Sequence, residues 1–413
     1  MSASARHGII GLAVLLVALE MSILGFAIWR SSSSRGEIAS LTTPSPAPSS
    51  PNPATPSPLP ARSPYRIGVQ VHGYVGDPRD TLRVVRQVGF PWVKQQVLWS
   101  MHEPEPRRYD WGILEGFLIV AERDGLKVVL SLVTAPAWSR REGGIHGPPD
   151  RPEDLARFLQ VLIRRHRGRI HAIEVWNEQN LRREWQTSRG LRPEDYVQLL
   201  RVAYTAIKAE DPRILVISGA LSPTGIDDGV NAIDDFRYLK GMVDAGFLAY
   251  ADCVGVHHNG YNIGPDVRAE EAPSLPEART ARFRGPFDNP HHSWSFRSTL
   301  WGYWEIVSGA KPLCVTEFGW ASTEEYGVVP SGFEFALDNS LEEQARWIVE
   351  AYERMREWGF VEMAILWNLD FAPKGFGPEK DDNVLYSIVD TRGVPRPAFS
   401  ALQAYLTALQ PSP

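Results

Sequence analysis

From residue 65 onward, short β-branched apolar runs alternate with longer stretches whose apolar residues recur at helical spacing. The runs predict strands at 66–72, 92–98, 127–133, 171–176, 214–219, 253–257, 312–316 and 362–367. Between them, helical patterns with recognisable starts occupy 152–166, 193–210, 231–245, 341–358 and 397–409. Eight β-then-α units predict an α/β fold of one kind, a (β/α)8 TIM barrel closed by parallel strands and wrapped by helices. An open doubly wound sheet would alternate in the same way, but it normally carries a glycine-rich phosphate turn after its first strand. Here that position reads His72-Gly73-Tyr74-Val75-Gly76-Asp77, without the dinucleotide spacing.

The N-terminus departs from this alternation. Residues 8–29 form an apolar stretch of the length that crosses a bilayer, flanked by Arg6 and Arg30 and interrupted by Glu20. The pattern predicts a transmembrane anchor over 1–30; a cleaved signal peptide is the alternative, since Gly25-Phe26-Ala27 loosely fits a small-x-small cleavage site. Residues 31–64 are dominated by Ser, Pro, Thr and Ala and predict a disordered linker. At about 3.1 Å per residue it would reach up to roughly 100 Å, holding a folded domain at 65–413 clear of the membrane. Either N-terminal reading places that domain outside the cytoplasm, secreted or tethered.

Composition adds little to the fold and more to the ligand. Apolar residues make up 43% and charged residues 22% of the 413, an ordinary globular balance, yet 14 are Trp. Such an excess suits flat ligands such as sugar rings. The chain carries a net charge of −6; residues 1–64 contribute +2 and the remainder −8, so nucleic acid is not an expected partner. Cys253 and Cys314 fall in separate apolar runs, which predicts two buried free thiols rather than a disulfide.

Candidate chemistry sits at two strand ends. The runs Ile173-Glu174-Val175-Trp176-Asn177-Glu178 and Leu313-Cys314-Val315-Thr316-Glu317-Phe318-Gly319-Trp320 each finish in a carboxylate beside a tryptophan. In a barrel, the carboxyl ends of the strands build the active site, so Glu178 and Glu317 would meet across one rim. A pair of carboxyl groups about 5–5.5 Å apart can supply a nucleophile and a general acid for glycoside cleavage. Glu178 would have to rest protonated near neutral pH while Glu317 is ionised.

Trp176-Asn177-Glu178 after strand four, with Thr316-Glu317-Phe318-Gly319-Trp320 after strand seven, resembles clan A, the retaining glycoside hydrolases with (β/α)8 barrels and two catalytic glutamates. The likeness spans residues 65–413. Within the clan, Glu174 to Asn180 is most similar to the β-xylosidase and α-iduronidase family, family 39, with the cellulase and mannanase family, family 5, as a near rival. Those families usually have Pro where this chain has Gln179. The resemblance implies that Glu178 is the acid/base, Glu317 the nucleophile and Asn177 a partner of the sugar 2-hydroxyl. It further implies that Trp367 floors the subsite of the cleaved sugar, that His258 and Tyr261 lie beside the nucleophile, and that no cofactor or metal is needed. His72 is a candidate rim donor, and Trp138 and Trp320 are candidates for stacking on sugar.

Plainer roles compete with these. A strand-end Glu can cap the next helix, and Trp99, Trp138, Trp320 and Trp367 can be core. A metal site from His257 and His258 with His291 and His292 is disfavoured, because adjacent residues in a strand point to opposite faces. Glu174 reads as a buried supporting group; Glu103, Asp77 and Asp370 read as solvated loop charges. The long segments 259–291 and 368–395 are expected to shape the cleft. A carbohydrate is the expected partner, alongside the membrane at the N-terminus. The competing classes are a glycan receptor on the same barrel and a transglycosidase.

Overall fold

The computed structural model describes residues 65–410. The anchor expected over 1–30 and the linker expected over 31–64 lie outside the described residues. Among the described residues, no helix is long and apolar enough to cross a membrane.

Eight parallel strands alternate with eight principal helices. In chain order these are β1 (Arg66–Gln70), α1 (Pro78–Val88), β2 (Trp92–Leu98), α2 (Gly112–Arg123), β3 (Lys127–Val133), α3 (Pro152–Arg165), β4 (Ala172–Val175) and α4 (Pro193–Glu210). They continue with β5 (Leu215–Ser218), α5 (Asp235–Asp244), β6 (Val254–Gly260), α6 (Phe296–Ile306), β7 (Leu313–Trp320), α7 (Leu341–Trp358), β8 (Val361–Leu366) and α8 (Pro397–Ala408). Strand order is β5-β4-β3-β2-β1-β8-β7-β6, and parallel bridges from Ile217 to Cys253 and from Leu221 to Val256 close the ring. This is the expected (β/α)8 barrel.

Local chemistry sets the helix ends. Asp77 accepts from the Arg79 amide and Pro78 opens α1, which stops at Gly89 with φ 101°. A capping box between Ser340 and Glu343 starts α7, and Gly359 ends it at φ 74°. The pattern at 231–245 begins as helix only at Asp235, because the Asp234 side chain caps there on the Arg237 amide.

Alternation along the strands divides the interior into layers. Val129, Ala172, Ile217, Cys253, Cys314, Met363 and Ile365 form an apolar floor inside the barrel, while the outward residues pack under the helices. Cys253 and Cys314 both point into this floor, and they are joined as a disulfide rather than left as free thiols. Residues two positions further along the strands lift the next layer toward the open end. There Glu174 on β4 and Thr316 on β7 are wholly buried, with Lys94 on β2 between them.

Two strands run longer than expected, so His258 lies within β6 and Glu317 within β7 rather than after them. The register between these strands shifts after Val256: Val256 faces Val315, whereas His257 faces Glu317. Thr316 is the extra residue. This bulge lets Thr316 and Glu317 both turn inward, which a regular strand would forbid.

Candidate active site

Beyond the polar layer opens a cavity of about 390 Å³ at the carboxyl ends of the strands. Glu178, Glu317, Asn177, His72, Tyr261 and Trp367 all line it. Glu178 lies on the loop after β4, which leaves the strand through a tight turn with positive φ at Trp176 (78°) and Glu178 (43°). Such backbone costs about 1–3 kcal/mol per residue and persists only where the surroundings over-determine it. Here the Trp176 indole donates to the Glu184 carbonyl and packs edge-on against Trp185, while the Glu178 amide donates to Ala220 O.

One imidazole joins the two carboxylates. His257 Nδ1 lies 3.2 Å from Glu178 Oε1 and 3.7 Å from Glu317 Oε2. Those two oxygens therefore lie at most roughly 7 Å apart, which admits the narrow spacing of about 5–5.5 Å and excludes most of the wide range of about 6.5–9.5 Å. Burial opposes charge on His257, but Glu317 and Glu178 outweigh it and raise its pKa.

Below Glu317 sits Lys94, wholly buried. It donates to Glu317 Oε1 and lies 3.0 Å from Glu174 Oε2, and Glu174 also accepts from Thr316 Oγ1. Burial alone would discharge the lysine; the two carboxylates overcome that and raise its pKa. Glu174 is thus the buried supporting group expected of it.

Glu178 departs from expectation in its charge. Its Oε2 accepts from Arg183 Nη2 at 2.6 Å. Burial raises its pKa, yet the Arg183 guanidinium and the His257 ring prevail and hold it down at about 2. The resting group is therefore a carboxylate, not the expected acid. Its neighbour Glu184 behaves in the opposite way: burial, reinforced by Glu178 and Glu317, pushes it up to about 8 despite Arg183. Lys94, Arg183 and His257 thus stand among Glu174, Glu178 and Glu317 around the cavity floor.

The cavity wall can hold a polyhydroxylated ligand. Gln70 Oε1, His72 Nε2, Asn177 Oδ1 and Asn259 Oδ1 are buried polar atoms without a hydrogen-bond partner among the described residues, and all four residues line the cavity. Burial, then the charge of Lys374, lowers His72 to about 4, so its ring is neutral at pH 7. Trp367 and Phe371 supply apolar wall, their ring centroids 4.9 Å apart. The segments 259–291 and 368–395 contribute Tyr261, Phe283, Asp382 and Tyr386 to the lining.

Three sequence candidates lie outside that lining. His258 points away from the barrel interior and packs edge-on to Phe296. Trp320 is fully buried between Phe296 and Trp347, its indole donating to Ile263 O. Trp138 donates to Glu103 O and stands beside Arg157. Of the three acids assigned to solvated loops, two are not so placed: Glu103 is completely buried and accepts from the Trp99 indole, and Asp370 is buried against the His72 amide and Lys374. Asp77 is a solvated loop acid and also caps α1.

Lys94, Arg183 and Glu184 escaped the sequence reading, and His257 was passed over in favour of His258. A lysine in the middle of a strand run was the signal for Lys94. For His257 the choice against His258 depended on which face the bulge presents.

Among the described residues, Asp234, His291 and His292 form one of two clusters able to gather around a metal, and it includes neither His257 nor His258. The other includes both disulfide cysteines.

Comparison with known proteins sets this geometry among relatives. Residues 77–143 match the sequence model of a family described as beta-galactosidase, glycoside hydrolase family 42. A beta-galactosidase of Thermus sp, BgaA, is 38% identical over 125 residues, which cover 25% of this chain and 19% of that protein. The chain thus matches about a fifth of the length of this curated relative. Among solved structures, a family 39 glycoside hydrolase from Bacteroides cellulosilyticus superposes with a TM-score of 0.57 at 20% identity, covering 85% of this chain and 66% of that one. A monomeric beta-xylosidase from Caulobacter crescentus gives 0.54 at 18% identity, covering 85% and 68%. An exo-beta-1,4-mannosidase from an Opitutaceae bacterium gives 0.55 at 15%, covering 83% and 59%. At these identities the likeness establishes the barrel fold.

Proposed function

We propose that this chain is a retaining O-glycosyl hydrolase in which Glu317 is the nucleophile and Glu178 the acid/base. The observation that carries the reading is the convergence of two carboxylates, far apart in the chain, on a single buried imidazole nitrogen at the floor of the cavity. The similar proteins named above, described as beta-galactosidase, beta-xylosidase and exo-mannosidase, support the same reaction class.

In the first step, Glu317 attacks the anomeric carbon while Glu178 gives a proton to the departing oxygen; in the second, water replaces Glu317 and returns a proton to Glu178. Lys94 fixes Glu317 Oε1 and supplies counter-charge without entering the cavity. Asn177 Oδ1, buried and without a partner among the described residues, is placed to accept from a sugar hydroxyl, an interaction that stabilises the oxocarbenium-like state if it tightens there. Trp367 and Phe371 offer apolar wall to the ring faces.

The substrate in this reading is a glycan outside the cytoplasm, and the N-terminal segment tethers the enzyme or directs its secretion. The Cys253–Cys314 disulfide supports that placement, because such bonds persist in oxidising compartments.

A panel of aryl glycosides tests the proposal. Glu317→Ala is expected to abolish turnover. Glu178→Ala retains slow cleavage of substrates with good leaving groups, accelerated by azide. Absence of turnover on every member by the wild-type protein, with saturable sugar binding, would instead indicate a receptor.

A further inference from the structure

Glu178 is a poor acid in the arrangement just described. Its Oε2 accepts from Arg183 at 2.6 Å and its Oε1 lies 3.2 Å from His257 Nδ1, so a cation is paired directly with the carboxylate and disfavours its protonation. Protonation is favoured once one of these nitrogens withdraws. His257 is held inside a central strand and is buried, whereas Arg183 sits on the loop after β4 with its side chain 23% exposed. The guanidinium also has a second carboxyl within reach: its Nε lies 3.8 Å from Glu184 Oε1. Glu184 is buried and lines the same cavity.

We propose that Arg183 is a shared counter-ion that passes from Glu178 to Glu184 when substrate enters, and that Glu184 stores the proton Glu178 needs. The proposal rests on the glycosidase reading and assigns Arg183 and Glu184 as positioning residues. Before the exchange, Glu178 is the carboxylate paired with Arg183 and Glu184 is the carboxylic acid. The O–H bond of Glu184 then breaks, an O–H bond forms on Glu178, and the guanidinium pairs with the new carboxylate on Glu184. The proton crosses within the cavity that both groups line, and the net charge of the trio is unchanged.

The resting charges agree with this order. Burial pushes Glu184 up to about 8, while Arg183 and His257, overcoming burial, hold Glu178 at about 2. The other groups facing the trio are Glu317, Asp382 after β8, Tyr261 after β6 and Tyr303 on α6. Burial raises both tyrosines, which are neutral at pH 7. None of the four supplies a second cation that could release Glu178.

Glu184→Gln keeps the shape of the side chain but removes both the stored proton and the charge that receives Arg183. It is expected to cut kcat/KM on glycosides with poor leaving groups by about 10²-fold or more, the usual range for lost acid catalysis, and to leave activated aryl glycosides within about threefold. Adding Arg183→Gln to that variant frees Glu178 to hold its own proton and recovers part of the loss. Equal losses on both substrate types, or no recovery in the double variant, would overturn the proposal.

A second readout needs no turnover. At neutral pH the wild-type infrared spectrum should show a buried protonated-carboxyl band that Glu184→Gln removes and Arg183→Gln retains; a spectrum from which Glu184→Gln removes no such band would mean that Glu184 stores no proton. If the wild-type protein cleaves no glycoside, the glycosidase reading fails, and the infrared band still decides where the proton resides. Should Glu184→Gln fail to fold, Arg183→Gln alone is expected to move the basic limb of the pH profile upward, and an unchanged limb would contradict the exchange.

Discussion

Lys94 Nζ lies 3.0 Å from Glu317 Oε1 in the barrel interior, with the lysine side chain fully enclosed and the carboxylate nearly so. The same ammonium lies 3.0 Å from Glu174 Oε2, so one cation separates two acids that would otherwise repel. Removing one partner of a buried ionic group leaves uncompensated charge and typically costs about 3–5 kcal/mol. Lys94→Met is therefore expected to lose roughly that much in urea unfolding and to lose turnover with it. Unchanged stability would show that Lys94 is not the counter-charge described.

The two adjacent histidines of β6 should separate cleanly. His257 touches both carboxylates, and His257→Ala is expected to lower kcat by about 10²-fold or more, the scale of losing one preorganised donor. His258 packs on Phe296 behind the barrel wall, so His258→Ala should reduce thermal stability while sparing kcat of the folded fraction. Steady-state kinetics beside thermal melts reads both, and a larger kcat loss from His258→Ala would contradict the assignment.

Opposite pKa shifts give opposite pH dependences. Glu178 is depressed from 4.5 to about 2, so its ion pair contributes stability above pH 4.5 that is lost as pH falls toward 2. Glu184 is raised from 4.5 to about 8; across that interval the unfolded chain releases the proton and the native state keeps it, so stability falls as pH rises. Glu184→Gln should therefore stabilise the protein relative to wild type more at pH 8 than at pH 5. Glu178→Gln should flatten the loss below pH 4.5. Melting temperatures from pH 3 to 9 would check both signs.

Cys253 and Cys314 close a loop with a sequence separation of 61, for which chain entropy gives about 4 kcal/mol. Cys253→Ala with Cys314→Ala is expected to lose about 2–4 kcal/mol in chemical denaturation, since both sites lie in the packed floor of the barrel. A loss below about 1 kcal/mol would mean that the cross-link constrains little in the unfolded chain.

These residues also mark what could be read from sequence. Strand period and β-branched runs located all eight strands, because a fully buried parallel strand is apolar along its whole length. Glu178 and Glu317 stood out as carboxylates ending such runs. What periodicity lacks is register. The inward direction of His257, the inward turn of both Thr316 and Glu317, and the meeting of two cysteines all depend on how neighbouring strands are offset, including a bulge with no local signature. Arg183 and Glu184 lie on a loop whose course is set by the Trp176 turn and by Trp185, so their approach to Glu178 is a tertiary property. Trp138 and Trp320 show the converse: an aromatic at a strand end can serve the core as readily as the cleft.

Covalent trapping tests the central claim most directly. The wild-type protein is incubated with a panel of 2-deoxy-2-fluoro glycosides bearing activated leaving groups, and the adduct is located by peptide mass mapping. Double displacement predicts a single glycosyl ester on Glu317, absent from Glu317→Gln and released slowly by an acceptor sugar. Turnover of the parent aryl glycoside with inversion at the anomeric carbon, or an adduct on a residue other than Glu317, would contradict it.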